Sequence, residues 1–336
     1  MRKNEWIKAL LGAGMAVICL TGCSAAGDRE DTARENEVQE EESSGIVRTD
    51  SEEYDKASAG NAGNPADGIT NEKAGEDDAA AQGDGVDQPT DTEAAMKQLK
   101  GLGISVYGDS ISTFEGWIPA ECSNFYPIDG EVTDVSDTWW KSLIDETGME
   151  LCVNNSSAGC TCVGDSTAID NPAYGCSSAR ISLLMGKEGR MPEIIIVYMG
   201  TNDLLKGVPI GDNDGTRLVE EGEIENFSDA YCMILDKLAS EYPIADIYCC
   251  TLPQVGDWGT DQPFVTFENY LQLTAADYSE QIRVVAGNKG FKVVDLQQCG
   301  IEIDNLQEMS SDGVHLTPEG MKCVKDAVLD AIVSGR

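Results

Sequence analysis

Three residues in this chain have the types and spacing for nucleophilic chemistry on a carbonyl. They are a serine in a small-residue turn, the only histidine, and an aspartate three positions before that histidine. The serine is Ser110, in Val106-Tyr-Gly-Asp-Ser110, where Gly108 and Asp109 follow an apolar run that reads as a short buried strand. Turn conformation alone would explain Gly, Asp and Ser at such a place. The histidine changes that reading. His315 stands in Asp312-Gly-Val-His315, and a carboxylate at this spacing can reach back across the glycine to one imidazole nitrogen. The other nitrogen is then left to act as a base. A serine hydroxyl needs one, being a weak nucleophile at neutral pH. The chain order Ser, Asp, His is one of several in which this geometry recurs.

The elements that must carry these residues follow from periodicity. Apolar runs predict strands at Ile104–Tyr107, Leu151–Asn154, Ile194–Met199, Ile247–Thr251 and Phe291–Asp295. Between them, helical patterns occupy Thr138–Thr147, Ser178–Met185, Phe227–Glu241, Asn269–Asn288 and Pro318–Ile332, the last with Thr317 as its cap. Alternating strand and helix predicts an α/β domain, a parallel sheet covered by helices on both faces. Such sheets bind ligands beyond the strand C-termini. Ser110 lies just past one predicted strand end. Gly159, in Ser156-Ser-Ala-Gly159, and Asn202, in Gly200-Thr-Asn-Asp203, lie just past two others. Periodicity therefore places all three on one rim.

Four short blocks, Gly108-Asp-Ser-Ile, Ala158-Gly159, Gly200-Thr-Asn-Asp and Asp312-Gly-Val-His, resemble in order and spacing the sequence blocks of the SGNH (GDSL-type) hydrolases. The resemblance covers about residues 100–334. It implies a three-layer α/β/α fold with a five-stranded parallel sheet, flavodoxin-like in arrangement. It implies Ser110 as nucleophile, His315 as general base and Asp312 as the residue that orients it. The backbone N–H groups of Ser110 and Gly159 and the side-chain amide of Asn202 would form an oxyanion hole, needing neither cofactor nor metal. One such donor is typically worth about 3–4 kcal/mol in the transition state. Relatives often carry a tryptophan and serines near the Gly159 position, where this chain has Ser157, Ala158 and Cys160. The adjacent pocket therefore departs from the usual shape. The expected activity is that of a serine esterase on short acyl esters, such as O-acetyl groups on extracellular glycans. Two rivals stand beside it: a lipase or lysophospholipase of the same family, and a catalytically idle, glycan-binding surface lipoprotein.

The first 95 residues read differently. Met1–Lys8 is net positive, Ala9–Leu20 is apolar, and Leu20-Thr-Gly-Cys23 resembles a bacterial lipoprotein cleavage box. The apolar run is too short to span a bilayer. Residues 1–22 are expected to be a signal peptide, Cys23 a lipidated residue, and the protein extracytoplasmic, held at a membrane through this anchor only. Residues 23–95 are acidic and poor in aromatics, and are expected to be a disordered tether with a reach on the order of 50 Å. The catalytic domain is expected over residues 96–336, as a monomer.

With 60 acidic against 23 basic residues the net charge is −37, which argues against nucleic acid as a partner. Of twelve cysteines, ten lie beyond the signal and anchor. Cys249-Cys250 should point to opposite faces of a strand, and a disulfide is conceivable among Cys160, Cys162 and Cys176, though mostly free thiols are expected. Two insertions, Leu204–Glu225 and Leu252–Phe267, are expected to shape the pocket. Asp212-Asn-Asp-Gly215 reads as a solvated loop, and Trp258, Phe264 and Phe267 as either pocket floor or core. Trp117 carries the same ambiguity, whereas Trp139-Trp140 reads as core.

Overall fold

The computed structural model describes residues 91–170, 172–257 and 263–336. The expected signal peptide, Cys23, almost all of the expected tether and Trp258 lie outside them. Five strands form a parallel sheet: β1 Gly103–Gly108, β2 Glu150–Ser156, β3 Ile194–Tyr198, β4 Asp246–Cys250 and β5 Lys292–Val294. Their order is β2-β1-β3-β4-β5, so the chain runs out to one edge and then returns past β1 to build the other half. The reversal beside β1 is where parallel α/β sheets open a ligand crevice. The three-layer fold expected from the alternating pattern is thus present.

Strand side chains alternate between two cores. Ile104, Val106, Ile194, Ile196, Tyr198, Tyr248 and Cys250 face one layer, and Tyr107, Ile195, Val197, Ile247 and Cys249 the other. The vicinal cysteines part to opposite faces, as a period of two requires. The first layer is covered by α1 Asp91–Leu99, α2 Trp139–Thr147 and α5 Pro318–Ser334; the second by α3 Phe227–Glu241 and α4 Ala275–Lys289. Trp139 and Trp140 are both fully buried at the start of α2. An indole of this kind contributes roughly 4–6 kcal/mol of gross apolar transfer. Helix starts are capped by side chains: Thr138 Oγ1 accepts from Lys141 N–H, Asn226 Oδ1 from Asp229 N–H, and Thr317 Oγ1 from Gly320 N–H.

Helix α1 runs from Asp91 to Leu99, with Leu99 buried in the first core and Met96 packed against it. Two helix boundaries differ from expectation, each for a local reason. Helix α4 begins at Ala275 and not at Asn269. The Asn269 side chain instead accepts from Leu271 N–H and Leu273 N–H, which competes with a helical turn. The expected helix from Ser178 is one turn, Ser178–Ile181. Beyond it, Leu184 N–H donates to Tyr242 Oη and Leu184 C=O accepts from Ser105 Oγ, drawing the backbone out of a helix.

Candidate active site

The turn after β1 is built to present one hydroxyl. A side chain at Gly108 would place its Cβ 2.8 Å from both Ser112 Oγ and Ser156 Oγ, so only glycine lets the strand end here. Asp109 Oδ1 then accepts from Ile111 N–H at 3.1 Å and opens a single 3-10 turn, Ser110–Ser112. Thr113 closes it, its Oγ1 donating to Ser110 C=O at 2.8 Å. Trp139 Nε1 donates to Ser112 Oγ, and Asn154 Nδ2 to Ser112 C=O, which fastens the turn to the core beneath.

The loop before α5 brings the other two residues. Asp312 Oδ1 accepts from the N–H groups of Val314 and His315, at 3.0 and 2.7 Å, so the carboxylate folds back over its own loop. Its Oδ2 lies 2.8 Å from His315 Nδ1, and His315 Nε2 lies 3.0 Å from Ser110 Oγ. An ionised carboxylate is an acceptor, so the tautomer that satisfies both contacts carries its proton on Nδ1 and accepts from the Ser110 hydroxyl. Burial alone would raise the Asp312 pKa, but the electrostatic interaction with His315 and the hydrogen bonds from His315 and Val314 outweigh it and hold the carboxyl below its usual range. Gly256 N–H donates to Gly313 C=O at 2.7 Å, so the second insertion supports this loop directly. Ser110 and His315 are only 6% and 5% exposed.

Gly159 and Asn202 follow β2 and β3, the strands on either side of β1. Asn202 sits in the short helix Thr201–Lys206 after β3, and its Nδ2 is buried with no hydrogen-bond partner among the described residues. Gly159 has a φ of 77°, a conformation that costs glycine little and other residues more. Four contacts hold its loop. Lys206 Nζ donates to Gly159 C=O at 2.8 Å, and Asp203 accepts from Cys162 N–H at 2.8 Å and Val163 N–H at 3.3 Å. Arg180 Nη1 lies 2.6 Å from Cys160 Sγ. The conceivable disulfide is not formed: Cys160, Cys162 and Cys176 are all free thiols.

Several residues at the site had no role in the sequence reading. Arg180 is fully buried, stacks over the Tyr107 ring and donates from Nη2 to Gly108 C=O at 2.7 Å and Asn155 C=O at 2.9 Å. It ties the ends of β1 and β2 to the Gly159 loop. Phe125 stacks on His315, with ring centroids 3.5 Å apart and planes 9° from parallel. Asp109 and Asp203 stood inside the recognised blocks without a function. Burial pushes their carboxyls up to about 6 and about 7 respectively, against the partial compensation of nearby N–H donors. Asp109 Oδ2 and Thr201 Oγ1 each lack a full hydrogen bond, although the hydroxyl is near enough to lower the carboxyl a little. No spacing rule would have found Phe125 or Arg180.

The first insertion holds the Gly159 loop through Lys206, and its middle is fastened elsewhere. Asp212 pairs with Arg217, Asn213 Nδ2 donates to Asp229 on α3, and Gln281 and Asn288 on α4 donate to Asn213 and Asp214 carbonyls. These contacts fasten the segment to the two helices of the second layer. In the second insertion, Phe264 is buried in the first core and Phe267 packs against the other.

A parallel α/β sheet with serine, histidine and aspartate in hydrogen-bonded sequence at its C-terminal rim defines a hydrolase-like domain of the serine type. The comparisons agree with that class. Residues 102–260 match the family described as GDSL-like Lipase/Acylhydrolase. No curated protein sequence matches the chain. A solved structure from Bacteroides uniformis, described as a GDSL-like lipase, is similar over 68% of this chain and 94% of its own, at 26% identity and a TM-score of 0.50. A protein from Lactobacillus plantarum is similar over 70% of this chain and 99% of its own, at 18% identity and a TM-score of 0.52, a likeness of fold. Over residues 102–260 the chain is thus similar to GDSL-like lipases/acylhydrolases, and the Bacteroides structure extends the likeness of fold across the domain.

Proposed function

We propose that this protein is a serine esterase acting on short acyl esters, such as O-acetyl groups on extracellular glycans. The observation that carries this reading is the continuous path from Ser110 Oγ through His315 Nε2 and Nδ1 to Asp312 Oδ2, at 3.0 and 2.8 Å. Ser110 attacks the ester carbonyl while His315 Nε2 takes its proton. The carbonyl electron pair moves to oxygen, where Asn202 Nδ2 and the N–H groups of Gly159 and Ser110 receive it. Collapse expels the alcohol, which takes the proton from His315. Water then enters, gives a proton to His315 and attacks the acyl-enzyme; collapse returns that proton to Ser110 and frees the acid.

The short-chain preference rests on what surrounds the site. Phe264 and Phe267 are engaged in core packing, and the first insertion is occupied by polar contacts to α3 and α4. Among the described residues, neither offers the continuous apolar face that a lipid-facing lid needs. A long acyl chain therefore forgoes the roughly 0.8 kcal/mol that each buried methylene would contribute. The Leu20-Thr-Gly-Cys23 box supports extracytoplasmic display on a lipid anchor. The test is kcat/KM over p-nitrophenyl esters from acetate to palmitate, with Ser110→Ala as the blank. Acetate should lead and the variant should lose about 10⁶-fold in kcat. Octanoate leading acetate by about tenfold would favour the lipase reading, and no turnover with no labelling by a fluorophosphonate would favour the idle binder.

A further inference from the structure

We propose that Phe125 is a positioning residue for His315, which fixes the imidazole by its face and stabilises the cation formed there during proton transfer. This rests on the esterase reading above, in which His315 becomes an imidazolium only as Ser110 is deprotonated.

An imidazole offers two nitrogens in its plane and two faces. Both nitrogens are engaged, by Asp312 Oδ2 and Ser110 Oγ. In-plane hydrogen bonds resist sliding of the ring but oppose tilting weakly. A neighbour can resist tilting without competing for those nitrogens only by lying against a face. Phe125 does so at 3.5 Å between centroids and 9° between planes, and Tyr126 meets the same ring edge-on at 6.4 Å.

The placement is built from the catalytic turn outward. Phe125 N–H donates to Thr113 Oγ1 at 2.9 Å, and that hydroxyl donates to Ser110 C=O. Tyr126 Oη donates to Leu316 C=O at 3.0 Å, one residue beyond His315. The dipeptide is therefore fastened to the neighbourhood of nucleophile and base at once, and the stack is a consequence of both ties.

Charged and titratable groups near the ring include Asp312 on its own loop, Asp109 in the serine turn and Tyr126 beside Phe125; Glu121 and Asp129, on the Phe125 segment, are exposed to water. The negative face of a benzene ring attracts a cation more than a neutral imidazole. Its contribution is thus larger in the transition state than in the Michaelis complex, and appears in kcat with little change in KM.

The experiment uses the full chain with Phe125→Leu, which keeps apolar bulk and removes the π-face, and Phe125→Tyr, which restores it. Because His315 is the only histidine, its ring signals can be followed alone by NMR. In the parent protein the ring proton facing Phe125 should be shifted upfield by the aromatic ring current. In Phe125→Leu that shift should vanish and kcat on p-nitrophenyl acetate should fall about tenfold at constant KM. Phe125→Tyr should recover most of both. An unmoved His315 signal in Phe125→Leu overturns the stack. A shifted signal with unchanged kcat, or equal losses in the Leu and Tyr variants, overturns its catalytic role. Should the parent turn over no ester, the esterase reading fails, while the NMR comparison still decides whether the stack exists.

Discussion

Replacing Asn202 by alanine should separate catalysis from stability with opposite signs. Nδ2 of Asn202 is buried and unpartnered among the described residues, so the folded protein already carries the cost of its desolvation. A buried unmet donor of this kind costs about 1–3 kcal/mol. Removing the amide leaves a small void, roughly 30 Å³, which at about 24 cal/mol per Å³ costs about 0.7 kcal/mol. The fold should therefore lose nothing measurable and gain up to about 2 kcal/mol. The oxyanion, in contrast, loses a donor worth about 2.7–4 kcal/mol, which is about 10²–10³ in kcat. KM should change little, because the donor acts on charge that develops only in the transition state. Steady-state kinetics on p-nitrophenyl acetate and a urea titration of the same sample read both quantities. A kcat loss under threefold, a rise in KM at constant kcat, or a destabilisation above about 2 kcal/mol would refute the reasoning.

Two further substitutions probe the buried charges. Asp109 has a carboxyl raised by burial to about 6 from an ordinary 3.8, so the folded state holds its proton more tightly than the unfolded state. Its contribution favours folding below about pH 4 and is lost as pH rises towards 6, by at most about 3 kcal/mol. Thermal melts from pH 4 to 7 should therefore show Asp109→Asn gaining on the parent as pH rises; parallel curves would refute this. Arg180→Lys keeps a cation but cannot reach Gly108 C=O, Asn155 C=O and Cys160 Sγ together. It should cost about 3 kcal/mol, or about 6–12 °C in Tm, and a shift below about 2 °C would count against a bracing role.

The fold was legible because the strands are buried on both sides. Ile194 to Tyr198 has no polar residue to blur it, and each of the five predicted strands is present within two residues at either end. Helix α3 was legible to the residue, since Asn226 caps it and its apolar period is unbroken. Where helices were misplaced, a side chain had taken a backbone group elsewhere: Asn269 into its own loop, Tyr242 onto Leu184. At the candidate site, Ser110, Asp312 and His315, which the structure brings together, could be singled out because each lies in a short contiguous block. Phe125 and Arg180 could not. Their partners lie far along the chain, as with Tyr126 and Leu316 at 190 residues' separation, and nothing in a local pattern encodes a stack across that distance.

The order of the three central strands has a consequence for how this scaffold can change. Ser110, Gly159 and Asn202 follow β1, β2 and β3, and β1 lies between the other two. Neighbouring strands are held about 4.8 Å apart by peptide hydrogen bonds, whatever their side chains are. In the proposed mechanism, the frame for a carbonyl oxygen is therefore gauged in part by the polypeptide backbone itself, which side-chain substitution leaves in place. Selectivity for one acid or one alcohol has to be written in the segments that rise from the rim. Lineages built on such a frame can exchange substrates by rewriting those segments while the gauge beneath them, and with it the chemical step, is inherited unchanged.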